Sequence, residues 1–329
     1  MSTSASDGSG KVRWGIIGAA SIARGQFLPG LRETGDGRPV IVGSRDRERG
    51  EAFAAAEGVA TSTQSYEAVL ASEIDAVYIA LPNSLHARWT IAALEAGLHV
   101  LCEKPLCASV ADAERVTAAA REHPEAPLWE AFVFPFQPQH RRIVELLAEG
   151  AVGEPAELAS EFHFRMSRPD DIRMSAELGG GALADVGCYP IRLAHELLGP
   201  ADGAVGATAR IEGEVEVDAA GFVEHGTRRL MLTCGFRRPY DTFTRVLGDG
   251  GELRASNPFH PEPDDALTLY RPDAEPVTER PTTDARSFTA ALRHIHAVVR
   301  ELQAPRQLAI DSAVANARTL AALQAEAGR

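Results

Sequence analysis

The run "HVLCEKPLCA", residues 99 to 108, sets Glu103, Lys104 and Pro105 in a row where an apolar strand ends. A lysine on the last residue of a buried strand needs a partner or a task, because an isolated buried ammonium is costly. Pro105 disfavours the helical region for Lys104 and holds its backbone extended. Two neighbouring stretches carry similar material. "LPNSLH" (81 to 86) contributes Leu81, Pro82, Asn83 and His86, and "EAF" (130 to 132) contributes Glu130 and Phe132. Amide, imidazole, ammonium and carboxylate side chains of this kind suit ligand hydrogen bonding and proton transfer. A plainer reading exists for His86, which sits at the start of a helix and could face solvent.

Elements that position these residues can be read from the hydrophobic pattern. "VRWGIIG" (12 to 18) is a strand breaking at Gly18, and a helical pattern follows from Ser21 to about Arg32. The alternation continues through "PVIVGSR", a helix closed by Gly58, "VATS", a brief helix from Tyr66 to Leu70, and "AVYIAL". Ser84 is then a candidate N-cap for a helix ending at Gly97, followed by "HVLCEK", a helix from about Ser109 to Glu122, and "PLWEAF". Nearly all-apolar strands separated by helices imply a parallel sheet covered on both faces. The three polar stretches then follow the fourth, fifth and sixth strands, at the carboxyl edge where such sheets bind ligands. Asn83, His86, Lys104 and Glu130 are expected to converge there.

The first turn suggests the ligand. In "GIIGAASIA" the dinucleotide fingerprint maps to Gly18, Ala20 and Ala23, with alanine for the middle glycine. It follows the first strand and opens a helix, whose N-terminal amides with Ser21 and Ile22 can hold a pyrophosphate. At the end of the second strand an NAD site commonly carries an acid, whereas this chain has Ser44 and Arg45 before Asp46. A hydroxyl and a guanidinium suit a 2'-phosphate, so NADP(H) is the expected cofactor. Asp46 could equally be the N-cap of the next helix.

Together, G-I-I-G-x-x-x-I-A, L-P-N-x-x-H, E-K-P and a Gly-rich turn running into D-V-G-x-Y resemble the glucose-fructose oxidoreductase, inositol dehydrogenase and MocA (Gfo/Idh/MocA) family over about residues 12 to 325. The resemblance implies a nicotinamide-dependent sugar oxidoreductase: a Rossmann domain (12–134) followed by an α+β domain (135–329) with an open, mainly antiparallel sheet. It also implies a homodimer or homotetramer formed through that sheet, with the E-K-P lysine, Lys104, between nicotinamide and substrate. Tyr189 places the chain in the tyrosine branch, with deoxysugar 3-ketoreductases, pentose dehydrogenases and dihydrodiol dehydrogenases. Tyr189 is then the acid/base. Lys104 polarises the carbonyl and, as an adjacent ammonium, favours the phenolate. Asp185, four residues earlier, shares a face with Tyr189 if the stretch is helical, or caps the following helix.

Composition limits the alternatives. The chain has 329 residues, 45% hydrophobic and 24% charged, no apolar run long enough to span a bilayer, and a net charge of -13, which disfavours nucleic-acid and anionic-lipid binding. Four cysteines without paired spacing suggest neither disulfide nor metal site and fit a reducing cytoplasm. Residues 1–11 are polar and read as a disordered leader. After about 135 the pattern changes to strand-like alternation between 204 and 271, closed by helices from Ser287 to about Leu302 and from Ile310 to Glu326. Arg165, Arg168 and Arg173 gather beside acids; they are surface ion pairs or, with Glu130 and Phe132, substrate-binding groups. A nucleotide-linked deoxysugar, a free aldose and a trans-dihydrodiol all remain open as substrate. A non-catalytic sugar sensor is the reading from another class, and retention of both Lys104 and Tyr189 argues against it.

Overall fold

The computed structural model describes residues 10–168, 170–281 and 286–328; the leader expected over 1–11 lies outside them up to residue 9. β1 (Val12–Ile17) is buried at every position, as a strand covered on both faces must be. β2 (Gly37–Gly43), β3 (Thr61–Thr63), β4 (Ala76–Ile79), β5 (His99–Cys102) and β6 (Leu128–Glu130) join it. All pair in parallel, in the order β3-β2-β1-β4-β5-β6. The winding direction reverses between β1 and β4, and this opens a crevice at their carboxyl ends. Crossovers run through α1 (Leu28–Thr34), α2 (Arg47–Glu57), α3 (Tyr66–Leu70), α4 (His86–Glu95) and α5 (Val110–Glu122).

The helix expected from Ser21 begins there, widens into a π-type turn over Ala23–Phe27 and continues as α1 from Leu28. That turn lies directly ahead of Pro29, which has no N–H to donate. Ser84 is not an N-cap. It lies in a 3-10 turn, Asn83–Leu85, with its amide on the Leu178 carbonyl 3.2 Å away, and α4 begins at His86 without a side-chain cap.

The second layer holds α6 (Pro138–Ala148), β7 (Pro155–Arg165), a second π-type turn at Leu183–Gly187 that runs into α7 (Cys188–Leu198), and seven further strands. These are β8 (Val205–Glu212), β9 (Val215–His225), β10 (Arg228–Gly235), β11 (Arg237–Gly248), β12 (Gly251–Ser256), β13 (Leu267–Tyr270) and β14 (Val277–Glu279). Their order is β14-β13-β12-β11-β7-β10-β9-β8, and every neighbouring pair is antiparallel except β7 with β10. The result is a parallel α/β sheet followed by an α+β layer with a mainly antiparallel sheet.

The chain end corrects the linear division at residue 134/135. α8 (Ser287–Val299) returns to the first layer, where Phe288, Leu292 and Ile295 share a core with Trp14, Phe27 and Tyr78. The buried Trp14 indole needs both cover and an acceptor; His296 of α8 supplies them, taking its N–H at 2.9 Å. α9 (Ala313–Glu326) packs against α5 and α7, bridging the two layers.

Candidate active site

Gly18, at the end of β1, has φ +106°, and a Cβ there would lie 2.3 Å from the Ala80 carbonyl oxygen. Only glycine fits so close an approach of backbone to backbone. Ala20 follows half-buried, Ser21 is exposed, and Ile22 is 37% exposed, an apolar face left open beside the turn. At the end of β2, Ser44 is buried and Arg45 exposed, while the Asp46 carboxylate accepts from the Arg49 amide at 2.9 Å and caps α2. The capping reading of Asp46 therefore holds, and Arg45 is left exposed at the strand end. Arg49, one turn into α2 and unmarked by any sequence motif, donates through Nε and Nη2 to the Ala19 carbonyl at 3.0 and 2.8 Å. A glycine-only turn, open amides beyond it and an exposed guanidinium at the second strand fit a dinucleotide carrying a 2'-phosphate.

Past β5 the chain turns sharply, through a cis peptide between Lys104 and Pro105. The Lys104 ammonium donates to the Asp185 carbonyl oxygen at 2.5 Å and to Asp185 Oδ1 at 2.8 Å. Asp185 Oδ2 accepts from Arg173 Nε at 2.7 Å, and Arg173 Nη1 donates to Asp171 Oδ1 at 3.1 Å. Burial alone would raise the Asp185 carboxyl, but the Lys104 and Arg173 charges outweigh it and hold the group down at about 2. Burial would likewise lower Lys104, yet the Asp185 charge wins and the ammonium is held above its usual range. Asp185 is thus the partner that the buried lysine required, and its side chain caps no helix: the cap position of α7 falls on Gly187.

Tyr189, in the first turn of α7, lies against Lys104, whose Nζ is 5.0 Å from its ring centroid. The ring is seated among Phe132, Phe162, Phe259 and His260 at 5.2, 5.1, 5.1 and 5.6 Å between centroids. Its hydroxyl has no hydrogen-bond partner among the described residues and is not among the buried unpartnered atoms, so it faces open space. The Lys104 charge favours the phenolate as expected, but burial is the larger effect and raises the phenol above its ordinary range.

Other candidates turn away from the cleft, and the reasons are specific. His86 is fully buried and both ring nitrogens lie against backbone carbonyls, Nδ1 at 2.9 Å from Pro105 O and Nε2 at 2.8 Å from Leu81 O. Its side chain ties the β4 and β5 loops together and cannot touch a cofactor. Asn83 donates to the Gly179 carbonyl at 2.8 Å and so pins the Gly-rich turn, while the half-buried Pro82 stays beside it. Glu103 accepts from the Tyr78 hydroxyl at 2.5 Å and from the Lys104 amide at 3.3 Å, and burial raises its carboxyl. It therefore orients backbone, not cofactor. Glu130, expected at substrate, accepts from the Leu106 amide at 2.8 Å and turns its other oxygen into a closed, water-sized cavity lined by Cys107, Cys188 and Asn316. Phe132 lies edge-on beneath Tyr189. Arg173 is committed to Asp185 and Asp171, and Arg168 makes an exposed pair with Asp171 at 3.0 Å. Among the described residues no group of three or more His, Cys, Asp or Glu side chains could hold a metal, and the four cysteines are buried and unpaired.

A doubly wound dinucleotide layer whose carboxyl edge meets an ammonium beside a protonated phenol defines a nicotinamide-dependent oxidoreductase. The family model for the "Oxidoreductase family, NAD-binding Rossmann fold" matches residues 12–132, and that for the GFO/IDH/MocA C-terminal domain matches residues 140–254. The chain belongs to the Gfo/Idh/MocA family, as an NADP(H)-dependent oxidoreductase of sugars. It is 37% identical to a D-xylose 1-dehydrogenase (NADP(+)) of Haloferax volcanii, covering 81% of this chain and 82% of the relative. It is 36% identical to a dTDP-3,4-didehydro-2,6-dideoxy-alpha-D-glucose 3-reductase of Streptomyces violaceoruber, covering 86% and 85%. A crystal structure of KijD10, a 3-ketoreductase from Actinomadura kijaniata in complex with NADP and TDP-benzene, superposes with TM-score 0.86 at 32% identity, over 96% of this chain and 98% of that one.

Proposed function

We propose that the protein reduces a keto group on a nucleotide-linked deoxysugar, with Tyr189 as proton donor. The observation carrying this reading is a phenol held protonated, its hydroxyl open to the cleft, beside an ammonium that Asp185 keeps charged. NADPH, when bound along Gly18, Ala20, Ser21, Ile22, Ser44 and Arg45, supplies the hydride for such a reduction. Lys104 has two of its three N–H groups on Asp185. The third is free to polarise a carbonyl oxygen, and Tyr189 gives that oxygen its proton as negative charge develops. Asp185 acts on substrate only through Lys104. The level of identity to a xylose dehydrogenase supports a second reading, oxidation of a free aldose at the same residues.

The open face of the second sheet, where Ala159, Ala207, Phe222 and Met231 line a broad groove, supports a homodimer or homotetramer, and the unpaired cysteines fit a cytoplasmic setting. Among the described residues no helix is long and apolar enough to cross a membrane. A panel of dTDP-linked keto sugars, pentoses and hexoses, read at the nicotinamide absorbance with NADPH and NADH side by side, tests the assignment. Turnover of the nucleotide-linked members with NADPH is expected; turnover of free aldoses alone selects the second reading, and binding of sugar without turnover selects the sensor.

A further inference from the structure

The connection from β12 to β13 carries a side chain into the site that the mechanism above does not use. Asn257 anchors this loop in a left-handed conformation, φ +43°, where asparagine is one of the few non-glycine residues tolerated. Its amide donates to the Thr242 carbonyl at 3.1 Å, and its Oδ1 accepts from the Tyr240 hydroxyl at 2.9 Å and the Thr242 hydroxyl at 2.8 Å. Its Nδ2 donates to the His260 carbonyl and, at 3.0 Å, to Asp265. Asp265 in turn accepts from the Glu262 amide at 2.7 Å and from the Ser256 hydroxyl at 2.8 Å. The Asn257 side chain thus ties the loop to β11 and holds the His260 backbone through its carbonyl.

The His260 ring lies 5.6 Å from the Tyr189 ring and 5.7 Å from Phe162, centroid to centroid. Neither ring nitrogen has a hydrogen-bond partner among the described residues, although the residue is only partly exposed. Burial and the nearby Lys104 charge hold the imidazole down at about 4, so at neutral pH it presents one donor and one acceptor. A neutral imidazole left unpaired beside an acid, on a loop built to hold it still, is a recognition group awaiting an oxygen.

We propose that His260 is a specificity-determining residue that hydrogen-bonds the oxygen on the sugar carbon next to the reacting carbon. The inference rests on the reading of Tyr189 as the acid at the reacting oxygen. Tyr189 and Lys104 occupy that oxygen, and the adjacent ring reaches the neighbouring one. In an aldose the partner is a hydroxyl and takes either role; in a vicinal keto sugar it is an acceptor and takes the imidazole N–H.

The test compares His260→Phe, which keeps the packing on Tyr189 and Phe162 but removes both nitrogens, with His260→Gln, which returns a donor and an acceptor. Probes are D-xylose against 2-deoxy-D-xylose, and dTDP-4-keto-6-deoxyglucose against its 3-deoxy analogue, with binding to the NADP-loaded protein followed by calorimetry and turnover by absorbance. We expect His260→Phe to weaken binding of the fully oxygenated probe about ten- to hundredfold, to change the deoxy analogue less than about threefold, and to be partly rescued by His260→Gln. Equal losses on both members of a pair, or no loss on either, overturn the inference, as does failure of the wild type to bind any probe. Probes that bind with the expected pattern but are never turned over overturn the proposed activity and leave the His260 contact standing.

Discussion

Two buried carboxylates near α7 behave in opposite ways. Asp185 and Glu130 are each about nine-tenths buried, yet one is held down at about 2 and the other is pushed up to about 7. Asp185 faces two cations, Lys104 at 2.8 Å and Arg173 at 2.7 Å, on the open side of the helix. Glu130 accepts from one backbone amide beside a small cavity, and the charges of Arg192 and Lys104 only partly offset its burial. Burial raised both carboxyls, and only counter-charge reversed it. A perturbed acid therefore does not by itself mark the chemistry in this protein. The chemical side is where the acid is ionised, paired, and next to a group with open space in front of it.

Substitutions can break this contrast, and the largest effect belongs at the open end. Tyr189→Phe should lower turnover about 10³-fold while leaving NADPH affinity, measured by fluorescence titration, unchanged. Lys104→Met should cost about a hundredfold in turnover. Because Asp185 then keeps only Arg173, it should also cost about 3 kcal/mol in a urea titration, where loss of activity without loss of stability would contradict the pairing. The pH arms should differ in sign. A carboxyl lowered by folding stabilises above its unfolded value near 4 and loses that contribution as pH falls through about 2. Asp185→Asn should therefore flatten the acid limb of a stability–pH curve between about 4 and 2, and lower stability throughout the neutral range. Glu130 is the reverse: its protonated form is favoured in the fold, so stability declines as pH rises from about 4 to about 7. Glu130→Gln keeps the acceptor for the Leu106 amide and removes the charge. The smallest effect is expected here, a gain of about 1 kcal/mol above pH 7 that vanishes below pH 4, read by thermal melts across pH.

The first layer was more legible than the second. Strands such as β1 and β4 are buried throughout, so a continuous apolar run marks them. β7 and β9, by contrast, have one open face and an irregular burial pattern. The winding of the sheet follows from alternation of strands and helices, which is why Gly18, Arg45 and Lys104 could be assigned to its carboxyl edge from spacing alone. Polar residues caught in tertiary bridges were misjudged. His86 looked like a ligand group or a solvent-facing helix residue and is a fully buried strut between two backbone carbonyls. Arg173 was open between an ion pair beside neighbouring acids and a substrate cation, and it is the second counter-ion of Asp185. His260 gave no signal, since the feature that singles it out is the nearness of Tyr189 and Lys104 from distant parts of the chain.

By itself the sequence determined the parallel layer, the glycine turn with its exposed Arg45, and the lysine at the sheet's edge. These depend on hydrophobic period, on the one residue that tolerates φ +106°, and on strand order, all local quantities. What the tertiary structure alone decided is the state of each ionisable group. Lys104 stays charged because Asp185, 81 residues away, is ionised, and burial raises the Tyr189 phenol by more than the ammonium beside it lowers it. Desolvation and charge pairing are set by distances between segments far apart in the chain, and no spacing within one segment encodes them.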